Sequence, residues 1–273
     1  MTWRGHLKKM AVRHTEPVEY ELCGALAEDD APLAISTMLG RRLRIEATGA
    51  VRCIHCGGKT RKPYGEGSCF RCFRKLPQND ICIVKPELCH FHQADNPCRD
   101  PTWGREHCLI DHLLYLAVSS GIKVGITRHT QIPTRWIDQG ASAALPLARL
   151  PDRLEVGRLE KILARSISDR THWQAMLRGD GPAVDLEAEA ERIRALVPEA
   201  YRSYLLEEAE IYRFTYPALR WPEKVRSFNL LSTPVVEGRL EAIRGQYLLF
   251  DSGVLNVRRH SGIEIVLSFR AAA

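Results

Sequence analysis

A chain of 273 residues with 45% hydrophobic and 26% charged content is long enough to bury a core and too apolar to stay disordered. Its net charge of +6 is uneven, with basic ends, an acidic stretch over 155–210 and a near-neutral middle; this permits nucleic-acid binding without requiring it. The run Cys108–Val118 is interrupted by Asp111 and His112 and is too short to span a bilayer, and no apolar stretch follows Lys8-Lys9, so the expectation is a cytoplasmic protein with no membrane partner.

Residues 1–50 mix short apolar segments such as Pro32–Ile35 with Arg42-Leu-Arg-Ile-Glu46, whose alternation of period two predicts a strand. Residues 51–110 hold all but one of the nine cysteines, Cys23 being the exception. In a reducing compartment such a cluster argues for metal ligation rather than disulfides. Cys53-Ile-His-Cys56 and Cys69-Phe-Arg-Cys72 are two knuckles that place four thiolates around one tetrahedral zinc ion, a closed and therefore structural site. A second group follows: Cys82, Cys89, Cys98 and Cys108, with His92 or His112 as substitutes. It offers more ligands than one tetrahedral ion takes and predicts a second zinc. Four cysteines would equally hold an iron–sulfur cluster, or serve as small buried hydrophobes with His90 in solvent.

Residues 111–230 change character. His112–Val118, Ser119-Ser-Gly121 and Ile122–Thr127 read as a hairpin with Tyr115 opposite Gly125 and Lys123 opposite Ala117. Even-numbered positions face the core, and the odd positions form a second face. Helices are expected over Pro133–Gln139, from Asp152 to about Ile167, over Leu186–Val197 and from Glu199 to about Tyr212. Residues 231–273 return to strands at 238–243, 245–250, 254–257 and 262–269, an antiparallel sheet or small barrel. There, Arg239, Arg244, Arg258, Arg259 and His260 lie near Tyr247 and Phe250. That pattern suits single-stranded nucleic acid and equally the charged exterior of a small barrel.

The odd face of the hairpin carries the chemistry. A phenol beside an ammonium, with a glycine allowing close approach, would receive a phosphate; the same arrangement would serve plain packing, with Lys123 in solvent. Arg128 and Arg135 add donors, and Glu160 flanks the apolar stripe of its helix. Tyr115, Lys123, Arg135 and Glu160 suit phosphodiester cleavage with one magnesium ion. The arginine would neutralise phosphate charge, the glutamate would hold the metal, and the phenol would hold or activate water.

Long runs also carry a resemblance. Tyr115–Thr127, Gln131–Gly140, Cys82–Cys89, Asp169–Trp173 and Gly245–Phe250 resemble the DUF2797 family of prokaryotic proteins. The central segment is similar, more remotely, to the GIY-YIG nuclease superfamily. Tyr115 stands at the tyrosine of that superfamily's first motif and Lys123-Val-Gly125 where its second has Tyr-Ile-Gly, with Arg135 and Glu160 at its arginine and glutamate. Leu113-Leu114 and Lys123 depart from the pattern. The resemblance implies a small sheet with flanking helices that cuts DNA with one magnesium ion.

The expected fold is therefore α+β, with N-terminal strands (1–50), a zinc ribbon and second cysteine cluster (51–110), a GIY-YIG-like domain with helical extension (111–230) and a C-terminal antiparallel sheet (231–273). The expected function is a zinc-containing nucleic-acid-binding protein and magnesium-dependent nuclease; the alternative is a non-catalytic scaffold for nucleic acid or protein.

Overall fold

The computed structural model describes residues 2–167, 171–179 and 181–269. The first elements are β1 (Thr2–His6), β2 (Ala11–Arg13), β3 (Glu19–Glu21), β4 (Arg42–Val51), α1 (Phe70–Lys75), α2 (Ile81–Val84) and α3 (Pro101–His107). The middle of the chain forms β5 (His112–Val118), β6 (Ile122–Arg128), α4 (Thr134–Asp138), β7 (Ala143–Leu150), α5 (Arg153–Leu163), α6 (Trp173–Met176) and α7 (Leu186–Ala195). The last are β8 (Tyr212–Arg213), β9 (Val235–Arg244), β10 (Tyr247–Phe250), β11 (Gly253–Asn256) and β12 (Ile263–Phe269). The architecture is α+β, and the named strands pair only antiparallel.

Two compact units result, one of residues 1–74, 177–179 and 214–273, the other of 75–176 and 180–213. The four ribbon cysteines fall in the first unit and Cys82, Cys89, Cys98 and Cys108 in the other.

The first unit is built on a six-stranded sheet of order β1-β12-β4-β9-β10-β11. Strands from both ends of the chain share it: β12 lies between β1 and β4, with Trp3 opposite Leu267 and Leu267 opposite Ile45. Alternation drives the burial. In β4, Leu43 and Ile45 are buried while Arg42, Arg44 and Glu46 face out, and β12 buries Ile263, Ile265, Leu267 and Phe269. The basic residues of the tail do not form one outer surface. Arg244 is fully buried, its guanidinium over the rings of Tyr216 and Trp221 and donating to the Gly179 carbonyl. His260 is buried as well, which corrects the exterior placement expected for both.

The second unit is built on a four-stranded sheet of order β6-β5-β7-β8. The hairpin register agrees with the spacing argument, pairing Leu114 with Ile126, Tyr115 with Gly125 and Ala117 with Lys123. On the even face, Leu114, Leu116 and Val124 meet Val156, Leu159 and Leu163 of α5 and Leu186, Ala190 and Ile193 of α7 in one apolar core. Both helices start on an aspartate cap: the Asp152 carboxylate accepts from the Glu155 N–H at 2.9 Å and Asp185 from that of Ala188 at 3.0 Å.

The helix expected from Glu199 to Tyr212 is not formed. Only Glu199–Tyr204 winds, as a 3-10 turn, and the chain then extends along β7. The Leu206 N–H donates to the Leu147 carbonyl, Leu205 bridges Ala148, and β8 closes the sheet edge. Pairing with the free backbone edge of β7 outweighs the helical pattern, and Leu205, Ala209 and Ile211 still pack on the apolar core from the extended chain. Among the described residues no helix is long and apolar enough to cross a membrane.

Candidate functional site

Three groups of side chains carry chemistry. The first is the ribbon. Between β4 and α1 the chain makes two knuckles, the first closed by the Gly57 N–H on the Cys53 carbonyl and the Cys53 N–H on the Gly58 carbonyl, both at 2.9 Å. Gly57 takes φ +68, a conformation that a side chain disfavours. The Sγ atoms of Cys53, Cys56, Cys69 and Cys72 all lie within 4.8 Å of one another, with Cys56 and Cys69 at 3.8 Å. A tetrahedron with metal–sulfur bonds of about 2.3 Å has edges of roughly 3.8 Å, so the four thiols fit one zinc ion. Burial alone would raise the Cys53 thiol, but the N–H groups of Cys69, Cys56 and His55 bring it down to about 7. Burial and the neighbouring sulfurs push Cys72 up to about 12. With four protein ligands such a site leaves no open position, so its role would be structural.

The second group lies between α1 and β5. Cys82 on α2, Cys89 after the Pro86–Leu88 turn, Cys98, and Cys108 at the end of α3 line one cavity of about 10 Å³. Burial pushes Cys82 up to about 12 and Cys108 to about 11. Asp80 and His90, which the spacing argument left out, stand beside them: ligand atoms of Asp80, Cys82 and His90 lie within 4.8 Å of one another. His90 is not in solvent but 8% exposed, its Nδ1 on the Asn96 carbonyl at 2.7 Å. His92 is exposed and does not line the cavity. Nor does His112, whose Nδ1–H donates to the Ile110 carbonyl at 2.7 Å. Burial brings His112 down to about 4, and its neutral Nε2 has no hydrogen-bond partner among the described residues.

The third group is the odd face of the hairpin. The Tyr115 hydroxyl donates to Gln139 Oε1 at 3.0 Å and lies within hydrogen-bonding reach of Arg135. Burial holds the phenol above its ordinary value; the Arg135 charge pulls it down and the Glu160 carboxylate pushes it up. Tyr115, Arg135 and Glu160 are therefore electrostatic neighbours, brought together from β5, α4 and α5. The Tyr115 ring meets Trp136 edge-on at 5.6 Å between centroids and sits over Gly125. A Cβ on Gly125 would stand 2.8 Å from both Tyr115 Cζ and its hydroxyl. Lys123 lies on the same face of β6, two residues before Gly125, and is 5% exposed rather than solvated. Trp136 of α4 packs on this face, and β5 is buried along its whole length.

Sequence reasoning missed Gln139, Asp80 and His90. Gln139 sits one residue before the helix-ending Gly140 and gave no signal of its own. Asp80 could have been found as the cap of α2, since its carboxylate accepts from the Cys82 N–H.

The fold and these groups define an α+β protein with a four-cysteine ribbon that could hold a zinc ion and a second, four-stranded antiparallel sheet whose Tyr115 lies near Arg135 and Glu160. The chain belongs to the family described as Protein of unknown function (DUF2797), which it matches over residues 40–265. Of the middle run that carried this resemblance, Asp169 and Arg170 lie outside the described residues. No curated protein and no solved structure matches the chain.

Proposed function

We infer that the chain is a zinc-containing nucleic-acid-binding protein whose central unit, similar to the GIY-YIG nucleases, cleaves phosphodiester bonds. The observation that carries this reading is that Arg135 and Glu160 both lie close enough to the buried Tyr115 hydroxyl to act on its charge, Arg135 within hydrogen-bonding reach. The order hairpin, short helix, strand, long helix, with the phenol on the first, the guanidinium on the second and the carboxylate on the last, supports this reading.

The roles follow from the groups. Arg135 neutralises charge on the scissile phosphate as it builds up. The Tyr115 hydroxyl, oriented by Gln139, positions the attacking water, and Lys123 supplies a second positive charge where the superfamily has tyrosine. Glu160 would hold a magnesium ion, which when bound would stabilise the leaving oxygen as a Lewis acid. The net charge of +6 favours a polyanionic substrate.

A second reading, a non-catalytic scaffold, is favoured by the burial of the same groups: Tyr115 has no exposed surface and Lys123 almost none. Incubating the protein with single- and double-stranded DNA and RNA, with and without magnesium, separates the two. Magnesium-dependent cleavage lost in a folded Glu160→Gln variant supports the nuclease. Binding without cleavage under every condition supports the scaffold.

A further inference from the structure

The geometry points to a second zinc site formed by the thiolates of Cys82, Cys89, Cys98 and Cys108, with Arg128 and Arg153 balancing its charge. This stands independently of whether the protein cuts nucleic acid.

Space is the first argument. The four sulfur-bearing side chains come from separate turns and line one cavity of about 10 Å³, walled by Pro77, Phe91 and Trp103. That is room for a single ion or atom, not for an organic ligand. The segment around it has little other reason to hold its shape. Its helices are four and seven residues long, Ile81, Val84 and Leu88 are exposed, and none of its residues belongs to the apolar core of its unit. A bound ion supplies the cohesion that such a segment lacks.

Charge is the second argument. The Arg153 guanidinium is partly buried and donates from Nη2 to the Ile83 carbonyl at 2.6 Å and from Nε to the Cys82 carbonyl at 3.3 Å. Arg128 lies close enough to feel its charge, and each lies in the field of Cys108. Among the described residues neither arginine is paired with a carboxylate. Neutral thiols would leave two clustered guanidinium groups without counter-charge. Four thiolates around a dication carry a net charge of −2, which two arginines balance.

Asp80 and His90 are the competing ligands, since with Cys82 they form the close-spaced donor group of this segment. The four sulfurs do not all meet the 4.8 Å spacing of the ribbon thiols, and an ion would have to draw them together. The bonds of Asp80 and His90, however, assign them elsewhere. The Asp80 carboxylate already accepts from Arg99 Nε at 2.6 Å and from the Cys82 N–H at 3.3 Å, and His90 Nε2 faces it at 3.4 Å. These bonds fix the loop that presents Cys89 and Cys98, an outer layer around the thiolates.

The site would tie the cluster to α5. Pro86 and Glu87, just before Cys89, pack on Gly157, Lys161 pairs with Glu87 at 3.2 Å, and Arg153 holds the carbonyls of Cys82 and Ile83. Glu160 lies on that same helix.

The test is metal stoichiometry of the full chain purified without chelator. Two zinc ions per chain are expected, falling to one in Cys53→Ser/Cys56→Ser and to one in Cys89→Ser/Cys98→Ser. Because a variant can fail to fold, native wild-type protein is also alkylated and mapped by mass spectrometry. Cys89 and Cys98 should resist modification until zinc is chelated, and Arg153→Met should weaken zinc retention by roughly 10–100-fold. One zinc per chain with Cys89 and Cys98 freely alkylated overturns the assignment. So does iron with acid-labile sulfide in place of zinc.

Discussion

Adding one methyl group to Gly157 sets two effects of known size against each other. In the middle of α5, alanine is favoured over glycine by about 1 kcal/mol of helix propensity. The new Cβ, however, would stand 2.8 Å from the Glu87 nitrogen and the Pro86 carbonyl carbon, and closer still to the Pro86 ring. None of those atoms ends a flexible side chain, so helix and turn must separate. Overpacking of this kind costs about 1–3 kcal/mol, and contact with backbone places it at the upper end. The net expectation for Gly157→Ala is destabilisation by about 2 kcal/mol, the difference of those terms. That corresponds to a fall in melting temperature of roughly 4–8 °C for a unit of this size. Urea and thermal unfolding, followed by the fluorescence of buried Trp136, would measure it. A melting temperature equal to or above wild type would show that the Pro86–Leu88 turn does not press on α5 and would remove the proposed link between the cysteine cluster and Glu160.

Further outcomes follow from the same geometry. Gly125→Ala should displace the Tyr115 ring from Gln139 and Arg135 and cost about 1–3 kcal/mol, because Trp136 leaves the ring nowhere to go; unchanged unfolding with an unaltered tyrosine environment would count against the packing described. Asp29 is paired with His6 at 2.9 Å. Burial would raise its pKa, but that bond and the N–H groups of Leu26 and His6 hold it below the usual 3.8. Its contribution is therefore present above 3.8 and lost as pH falls through the lower folded value. Asp29→Asn should be less stable than wild type by about 1–3 kcal/mol at pH 6, with the gap closing towards pH 3; a gap independent of pH would refute this. Chelation of the ribbon zinc should open residues 53–72 to protease, and zinc affinity should fall with decreasing pH as thiolates regain protons. Equal protease resistance with and without metal would mean that the ribbon holds its shape unaided.

The legible part of the molecule is what short-range spacing controls. Two knuckles separated by twelve residues were enough to name Cys53, Cys56, Cys69 and Cys72 as one set, because a knuckle closes through its own backbone bonds. The turn Ser119-Ser-Gly121 fixed the hairpin register, and with it the pairing of Tyr115 with Gly125, since strand geometry leaves no freedom once the loop length is set. The aspartates at 152 and 185 marked helix starts for the same local reason.

Tertiary structure decided everything that depends on what covers a surface or which distant edge is free. Nothing in residues 199–212 shows that β7 offers an unpaired edge, so their helical pattern misled. Nothing around Arg244 shows that two rings and a carbonyl 65 residues away will enclose it. The pairing of β12 with β1 and β4 joins the two ends of the chain, a choice made by complementary apolar faces rather than by any local signal. The gathering of Tyr115, Arg135 and Glu160 is intermediate. Each residue could be named from its element, but their common location required α4 and α5 to dock on the sheet, and only the packed core determines where a docked helix points its polar side.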